Sequence, residues 1–370
     1  MTDPDLRDPA PRHRDDGGFQ EALDRLIHEW DRSNPPEAFP AGPLASLAAI
    51  GGLDQFVVLT DEAAVDALAD ALTAIGGADL SLGRVFEGHV NAVQLVHTYG
   101  DDAQRAALHR HLAAGRCFGV WNTDHADGVR LVTHERSGLR LAGAKSFATG
   151  GGHIDRALIT ARRDDGIKQL VLVDIGATPD RADNRGWRVR GMKGTVSGRF
   201  DFEDVALAPD ALIGGPGDYE REPMFTAGAW RFACVQQGAA QALLRHWRDH
   251  LVQTGKRDDP VQRLRFGHSV AATRSAAQWV RRAAKAAEAR TADAIPLVLM
   301  TRGIVEDAAL ATMEGAARAV GTASFFEDSR IDRITRDLGL YLRQPVPDQA
   351  RDRAAAAWID HDHWGERGWW

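Results

Sequence analysis

The sequence predicts an α+β multidomain chain with three parts: an N-terminal helical domain, an antiparallel β-barrel-like middle domain, and a C-terminal four-helix bundle. Three observations lead there. Apolar residues recur at three- and four-residue steps up to about residue 116. Short apolar runs broken by Gly, Asp and Asn turns then take over. From about Met224 the helical period returns and stays. Period and turn spacing separate helix from strand because side chains share a face every 3.6 residues in one and every second residue in the other.

Residues 1–18 are rich in Asp, Arg and Pro, offer little to bury, and are expected to form a disordered tail. In 19–115, Leu23, Leu26 and Ile27 share a face next to Trp30. Val65, Leu68, Leu72 and Ile75 repeat in step, as do Phe86, His89, Val90, Val93 and Val96. Gly100-Asp101-Asp102 ends one helix and caps the next, because Gly tolerates a left-handed turn and Asp accepts orphan amide hydrogens. In 116–212 the strand-like runs are Phe118–Trp121, Leu131–Val132, Ala157–Ala161, Leu170–Val173, Trp187–Val189 and Phe200–Phe202. In 213–360 one helix carries Trp230, Cys234, Leu244, Trp247 and Leu251. Others run from about Pro260 to Ala289, Val298 to Ala319 and Ile331 to Leu342, where Pro345 and Pro347 interrupt. Residues 361–370 form a tail ending in Trp369 and Trp370.

Composition narrows the function classes. The 370 residues carry a net charge of −7, and no basic run is interleaved with aromatics, so a nucleic-acid partner is not expected. No apolar stretch is long enough to cross a bilayer and no secretory leader is visible, so a cytoplasmic location is expected. The two cysteines, Cys117 and Cys234, lie far apart in apolar settings and are expected as buried free thiols. Gly150-Gly151-Gly152 and Gly214-Gly215-Pro216-Gly217 fail the dinucleotide fingerprint and read as turns. No spacing supports a metal site: His109 and His111 point to different helix faces.

Two runs in the β region stand out, Val120-Trp121-Asn122-Thr123-Asp124 and Gly143–Gly150. Each has an aromatic followed two residues later by a threonine. A flavin needs a flat apolar wall, which Trp121 or Phe147 supplies, and hydrogen-bond partners at its polar edge. The same residues also suit ordinary strands.

From Leu44 to about Gln349 the chain resembles the acyl-CoA dehydrogenase family. Residues 116–124 look like the family's first flavin segment, and Thr123 matches the threonine at the pyrimidine edge. Residues 141–161 resemble the strand pair containing Gly-x-Lys-x-Trp-Ile-Thr. Phe147 stands for the tryptophan, Ala148 follows, and Thr149 matches the residue that contacts flavin N5. Gly191–Val205 looks like the Gly-Met-Arg strand and its continuation. Arg336-Asp337 matches the pair before the active-site loop, and Gly321-Thr322 falls on a Gly-Gly segment that meets FAD across a subunit contact. Arg257 is the best match to a cofactor-phosphate arginine. The resemblance implies FAD, a homodimer or homotetramer, an acyl-thioester substrate oxidised at CH–CH, and an electron-acceptor protein or oxygen. FAD-binding candidates are therefore Trp121, Asn122, Thr123, Phe147, Ala148, Thr149, Arg257, Gly321 and Thr322.

The departures bear on the reaction. Desaturation needs a glutamate to take the α-proton, yet the position eight residues after Arg336-Asp337 is Pro345, and the alternative position is Gly228. Glu222 is the nearest carboxylate under a shifted alignment. His89 lies on the inward face of its helix; it is either a core histidine satisfied by a backbone carbonyl or a proton donor beside the flavin, as in similar flavin monooxygenases on this scaffold. Three readings stay open: acyl-thioester dehydrogenase, flavin monooxygenase, and a non-catalytic flavin-binding member.

Overall fold

The computed structural model describes residues 16–32, 37–134 and 138–360. The expected tail up to residue 15 and the expected tail 361–370 lie outside the described residues. The first helix, α1 (Asp16–Arg32), begins ahead of Phe19, so residues 16–18 belong to a helix rather than a tail.

Helices α2 (Ala41–Ala49), α3 (Glu62–Ala78), α4 (Leu80–Tyr99) and α5 (Asp102–Ala113) follow. Their ends are set by aspartates. Asp61 accepts from Ala64 N at 2.9 Å and Asp79 from Leu82 N at 2.8 Å. Asp101 and Gln104 form a reciprocal capping box at the turn expected from the sequence. Helix α4 is buried on nearly all sides, packed against α3, α5, α7, α10 and strand β1. It is the central post of the molecule.

Among the described residues, nine strands then form one sheet: β1 (Phe118–Trp121), β2 (Asp124–His134), β3 (Gly138–Ala148), β4 (Arg156–Arg162), β5 (Lys168–Asp174), β6 (Ala182–Asp183), β7 (Gly198–Asp201), β8 (Val205–Ala206) and β9 (Leu212–Ile213). The main path is β6-β7-β3-β2-β4-β5-β9, with β1 on β4 and β8 on β3. This corrects the expected antiparallel barrel: the sheet is mixed, and no pairing joins the ends of the path among the described residues. The physical reason is the β2–β3 hairpin between β1 and β4, a crossover that returns the chain in the same direction, so β1 and β4 pair in parallel from Phe118↔Arg156 to Trp121↔Ile159. Trp187–Val189 is irregular rather than a strand, pinned by the Trp187 indole N–H donating to Met192 O at 3.2 Å.

Past a short helix α6 (Met224–Ala227), the C-terminal helices are α7 (Trp230–Gln253), α8 (Pro260–Glu288), α9 (Ala294–Val320), α10 (Arg330–Tyr341) and α11 (Pro347–Asp360). Helices α7, α8 and α9 pack on one another, α10 packs on α7, and α11 lies on α9 through Leu299, Ala350 and Ala354. Helices α3 and α7 meet glycine to backbone: a Cβ on Gly238 would lie 1.9 Å from Thr73 O, and one on Gly76 2.4 Å from Val235 O. Cys117 and Cys234 are buried free thiols, and burial pushes both thiols well up from their ordinary range. No helix among the described residues is long and apolar enough to cross a membrane.

Candidate functional site

Strands β1 and β3 deliver their ends to one place. Ser146 N donates to Thr123 O at 3.0 Å, so the turn after β1 lies along the last residues of β3. Six of the residues singled out from sequence thus come together: Trp121, Asn122, Thr123, Phe147, Ala148 and Thr149. Their roles differ. Trp121 is 2% exposed, packs on Phe200 and Phe202, and gives its indole N–H to Thr149 O at 3.0 Å. It braces the two strand ends from inside. Phe147 is the open aromatic face, 54% exposed, left-handed at φ +53, with Trp187 edge-on. Ala148 is buried between them, while Thr123 is exposed.

The turn carrying Asn122 and Thr123 is held by Lys145, which is fully buried. Its ammonium reaches Asp124 at 2.5 Å, Thr160 Oγ1 at 2.9 Å and Asn122 O at 3.1 Å. Burial pulls the Lys145 pKa down while Asp124 supports the charged form. Asn122 Oδ1 accepts from Thr160 Oγ1 at 2.9 Å.

Thr149 heads a chain of hydroxyls. Thr195 Oγ1 donates to Met192 O at 2.8 Å, and Ser197 Oγ donates to Thr195 Oγ1 at 2.8 Å. A hydroxyl has one proton to give. The 2.9 Å contact between Thr149 and Ser197 is therefore filled by the Thr149 proton, and the open valence of Thr149 is a lone pair. A ligand N–H is its natural partner.

A small recess of about 10 Å³ adjoins this group, lined by Arg84 and Gly88 of α4, Phe118–Trp121 of β1, Thr149 and Ile154. Arg84 was not singled out from sequence. The available signal was an arginine and a glutamate three residues apart on a helix otherwise apolar toward its neighbours.

His89 sits at this junction but cannot act in it. It is fully buried; Phe118 N donates to Nδ1 at 3.0 Å, so Nε2 carries the proton and gives it to Leu53 O at 2.7 Å. Burial lowers its pKa to about 4. Both ring nitrogens are held by backbone, and the proton-donor role is corrected to a structural one. Glu222 is exposed at the start of α6, accepting from Thr226 N at 3.0 Å and from the Thr226 hydroxyl.

Arg257 lies in the turn between α7 and α8, exposed, 3.6 Å from Asp258. Gly321 and Thr322 lie in the 3₁₀ turn after α9, which packs on α9 and α10. Within one chain these three do not join the strand-end group. The Arg-Asp pair expected before the active-site loop is structural here: Asp337 accepts from Met192 N at 2.5 Å, tying α10 to the loop before β7. Burial raises the Asp337 pKa to about 6 against the pull of the Met192 N–H.

Among solved structures, TdsC of Paenibacillus sp. A11-2 with FMN and indole superposes with a TM-score of 0.80 at 18% identity, covering 93% of this chain and 97% of that one. The nitrososynthase of Micromonospora carbonacea var. africana does so with a TM-score of 0.72 at 18% identity, covering 92% and 94%. The chain has the acyl-CoA dehydrogenase-like fold. No family model matches it. Among curated proteins, a dibenzothiophene monooxygenase of Rhodococcus erythropolis is 28% identical over 192 residues, 46% of this chain and 45% of that protein. A second from the same species is 25% identical over 313 residues, 74% and 75%. The cyclohex-1-ene-1-carbonyl-CoA dehydrogenase of Geobacter metallireducens is 25% identical over 237 residues, 59% and 62%. The first of these matches spans under half the length of its relative.

Proposed function

We propose that this chain is a flavin-dependent monooxygenase that acts on a small molecule and takes FMN at the ends of β1 and β3. The observation that carries the flavin reading is the ordered hydroxyl chain that leaves Thr149 an acceptor beside an open aromatic face. Phe147 offers the flat wall, and Thr149 accepts from the ring N–H. Asn122 and Thr123, held by Lys145, offer polar groups to the pyrimidine edge. The bound flavin, reduced and exposed to oxygen, supplies the oxygen-transfer chemistry; the residues of the chain bind, orient and exclude water.

FMN is favoured over the FAD expected from sequence. The neighbouring structure holds FMN. Monooxygenation is favoured over desaturation because, among the described residues, no carboxylate lines the recess. Pro345 and Gly228 occupy the expected positions, Glu222 accepts from Thr226, and Glu87 is held by Arg84 and Asn91. The named relatives are mostly monooxygenases.

The test supplies reduced FMN from a separate reductase and follows oxygen. Substrate-dependent oxygen uptake with a monooxygenated product is expected. Anaerobic bleaching of the flavin band by an acyl-CoA would replace this reading with the dehydrogenase one.

A further inference from the structure

The loop ahead of β7 closes on α10 at one point. A Cβ on Gly191 would lie 2.0 Å from Arg336 O, so the approach of the two backbones requires glycine there. The next residue, Met192, is buried and left-handed at φ +56. A left-handed residue with a side chain is disfavoured and persists where its surroundings over-determine it. One such restraint is Asp337 of α10, 5% exposed, which accepts from Met192 N at 2.5 Å. Its other oxygen lies 3.8 Å from Arg333 Nε, and Arg333 is paired with Asp79 at 2.7 Å.

The carbonyl of the same residue is where the strand-end group is anchored. Met192 O accepts the Trp187 indole N–H at 3.2 Å, Thr195 N at 3.1 Å and the Thr195 hydroxyl at 2.8 Å. Trp187 stands edge-on to Phe147, with ring centroids 6.3 Å apart. Thr195 O accepts from Gly150 N at 2.8 Å, one residue past Thr149. Thr195 Oγ1 commits its proton to Met192 O, so it receives from Ser197, which receives from Thr149. One left-handed residue thus joins α10 to both the aromatic face and the hydroxyl chain.

The direction of that chain is set at Met192 O. If this oxygen turned away, Thr195 Oγ1 would lose its acceptor and give its proton to Ser197 instead. Thr149 would then present an O–H in place of a lone pair. Reduced flavin carries a proton on N5 and oxidised flavin a lone pair, so the direction of the chain selects between them. We propose that Asp337 is a positioning residue for the flavin: by holding Met192 N it fixes Met192 O, and through Thr195 and Ser197 it keeps Thr149 an acceptor, which favours the reduced cofactor. This rests on the proposed function in taking Thr149 as the N5 contact. It adds control of the redox preference from α10, outside the strand ends.

The test is anaerobic calorimetric titration of reduced FMN, and separately of oxidised FMN, into wild type and variants. Wild type is expected to bind the reduced form more tightly. Asp337→Ala removes the acceptor for Met192 N and should lower the ratio of reduced to oxidised affinity about tenfold, the size of one neutral hydrogen bond. Asp337→Asn keeps an oxygen for Met192 N and should hold the ratio near the wild-type value. A role confined to charge pairing with Arg333 predicts instead that Asn and Ala behave alike. In a Thr149→Val background Asp337→Ala should leave the ratio unchanged, because residues in one network are not additive. Asp337→Ser reads the same loss where Asp337→Ala does not fold. No reduced-form preference in wild type, an unchanged ratio in Asp337→Ala or Asp337→Ser, an equal loss in Asp337→Asn, or a full effect on top of Thr149→Val overturns the proposal and leaves the flavin reading standing. Wild type that binds neither form of FMN overturns both.

Discussion

Lowering the pH from 7 to 5 should weaken the fold, because His89 stays neutral in it while the same ring takes a proton in the unfolded chain. The ring bridges Leu53 O and Phe118 N, so a second proton on Nδ1 would face the Phe118 N–H and break that bond. The folded pKa is depressed to about 4 from an ordinary 6.5. For a group with a depressed folded pKa, stability is fully present above the unfolded pKa and is lost as pH falls toward the folded one. Between those values the unfolded chain holds the extra proton, and the linkage gives a loss of about 2 kcal/mol at pH 5. Asp337 works the other way. Its folded pKa is raised to about 6 from 3.8, so it adds stability on acidification that is lost again as pH rises through 6. The gain over the same interval is about 1 kcal/mol. Wild-type pH dependence alone would blur the two. The assay is therefore a comparison of urea unfolding at pH 7 and pH 5 for wild type and His89→Gln, whose amide keeps one donor and one acceptor but does not titrate. The pH-induced change in unfolding free energy should differ between them by about 2 kcal/mol. Parallel pH dependences would show that His89 is not held as a neutral bridge.

Other perturbations address the frame and the strand ends. Lys145→Met keeps the volume but strands Asp124 and Asn122 O. Loss of one partner of a buried pair costs about 3–5 kcal/mol, and since Asp124 is 23% exposed and has Arg162 at 3.5 Å, about 2–3 kcal/mol is expected in urea unfolding, with weaker FMN binding. Gly238→Ala drives a methyl into Thr73 O and should cost several kcal/mol, on the order of the larger overpacking penalties; unchanged melting would mean that α3 and α7 separate freely. Phe147→Ala removes an exposed ring, so melting should shift little while FMN affinity falls roughly tenfold, within the range for aromatic contacts.

Much of the frame was legible because long amphipathic periods dominate it. The extents of α7, α8, α9 and α10 follow their apolar stripes, and the Asp101 capping box sits where Gly100-Asp101-Asp102 placed it. Helix α11 was missed because Pro347 reads as a breaker, although proline fits the first turn, where its lacking N–H has no partner to lose. The mixed sheet was hidden because strand direction depends on which strands pair, not on the pattern within each. At the site, the threonine and aromatic of each flavin run were visible in sequence. The state of His89 was not: its two partners lie 36 and 29 residues away, and only the fold brings both to one ring.

The direct test of the central claim is an anaerobic calorimetric titration of reduced FMN, whose N5 carries a proton, into wild type and Thr149→Val. Valine keeps the shape and removes the acceptor at the head of the Ser197–Thr195 chain. Saturable binding by wild type, weakened about tenfold or more in the variant, with both proteins melting alike, is the result predicted. FMN that fails to bind wild type, or binds both equally, contradicts the claim that the ends of β1 and β3 hold the flavin.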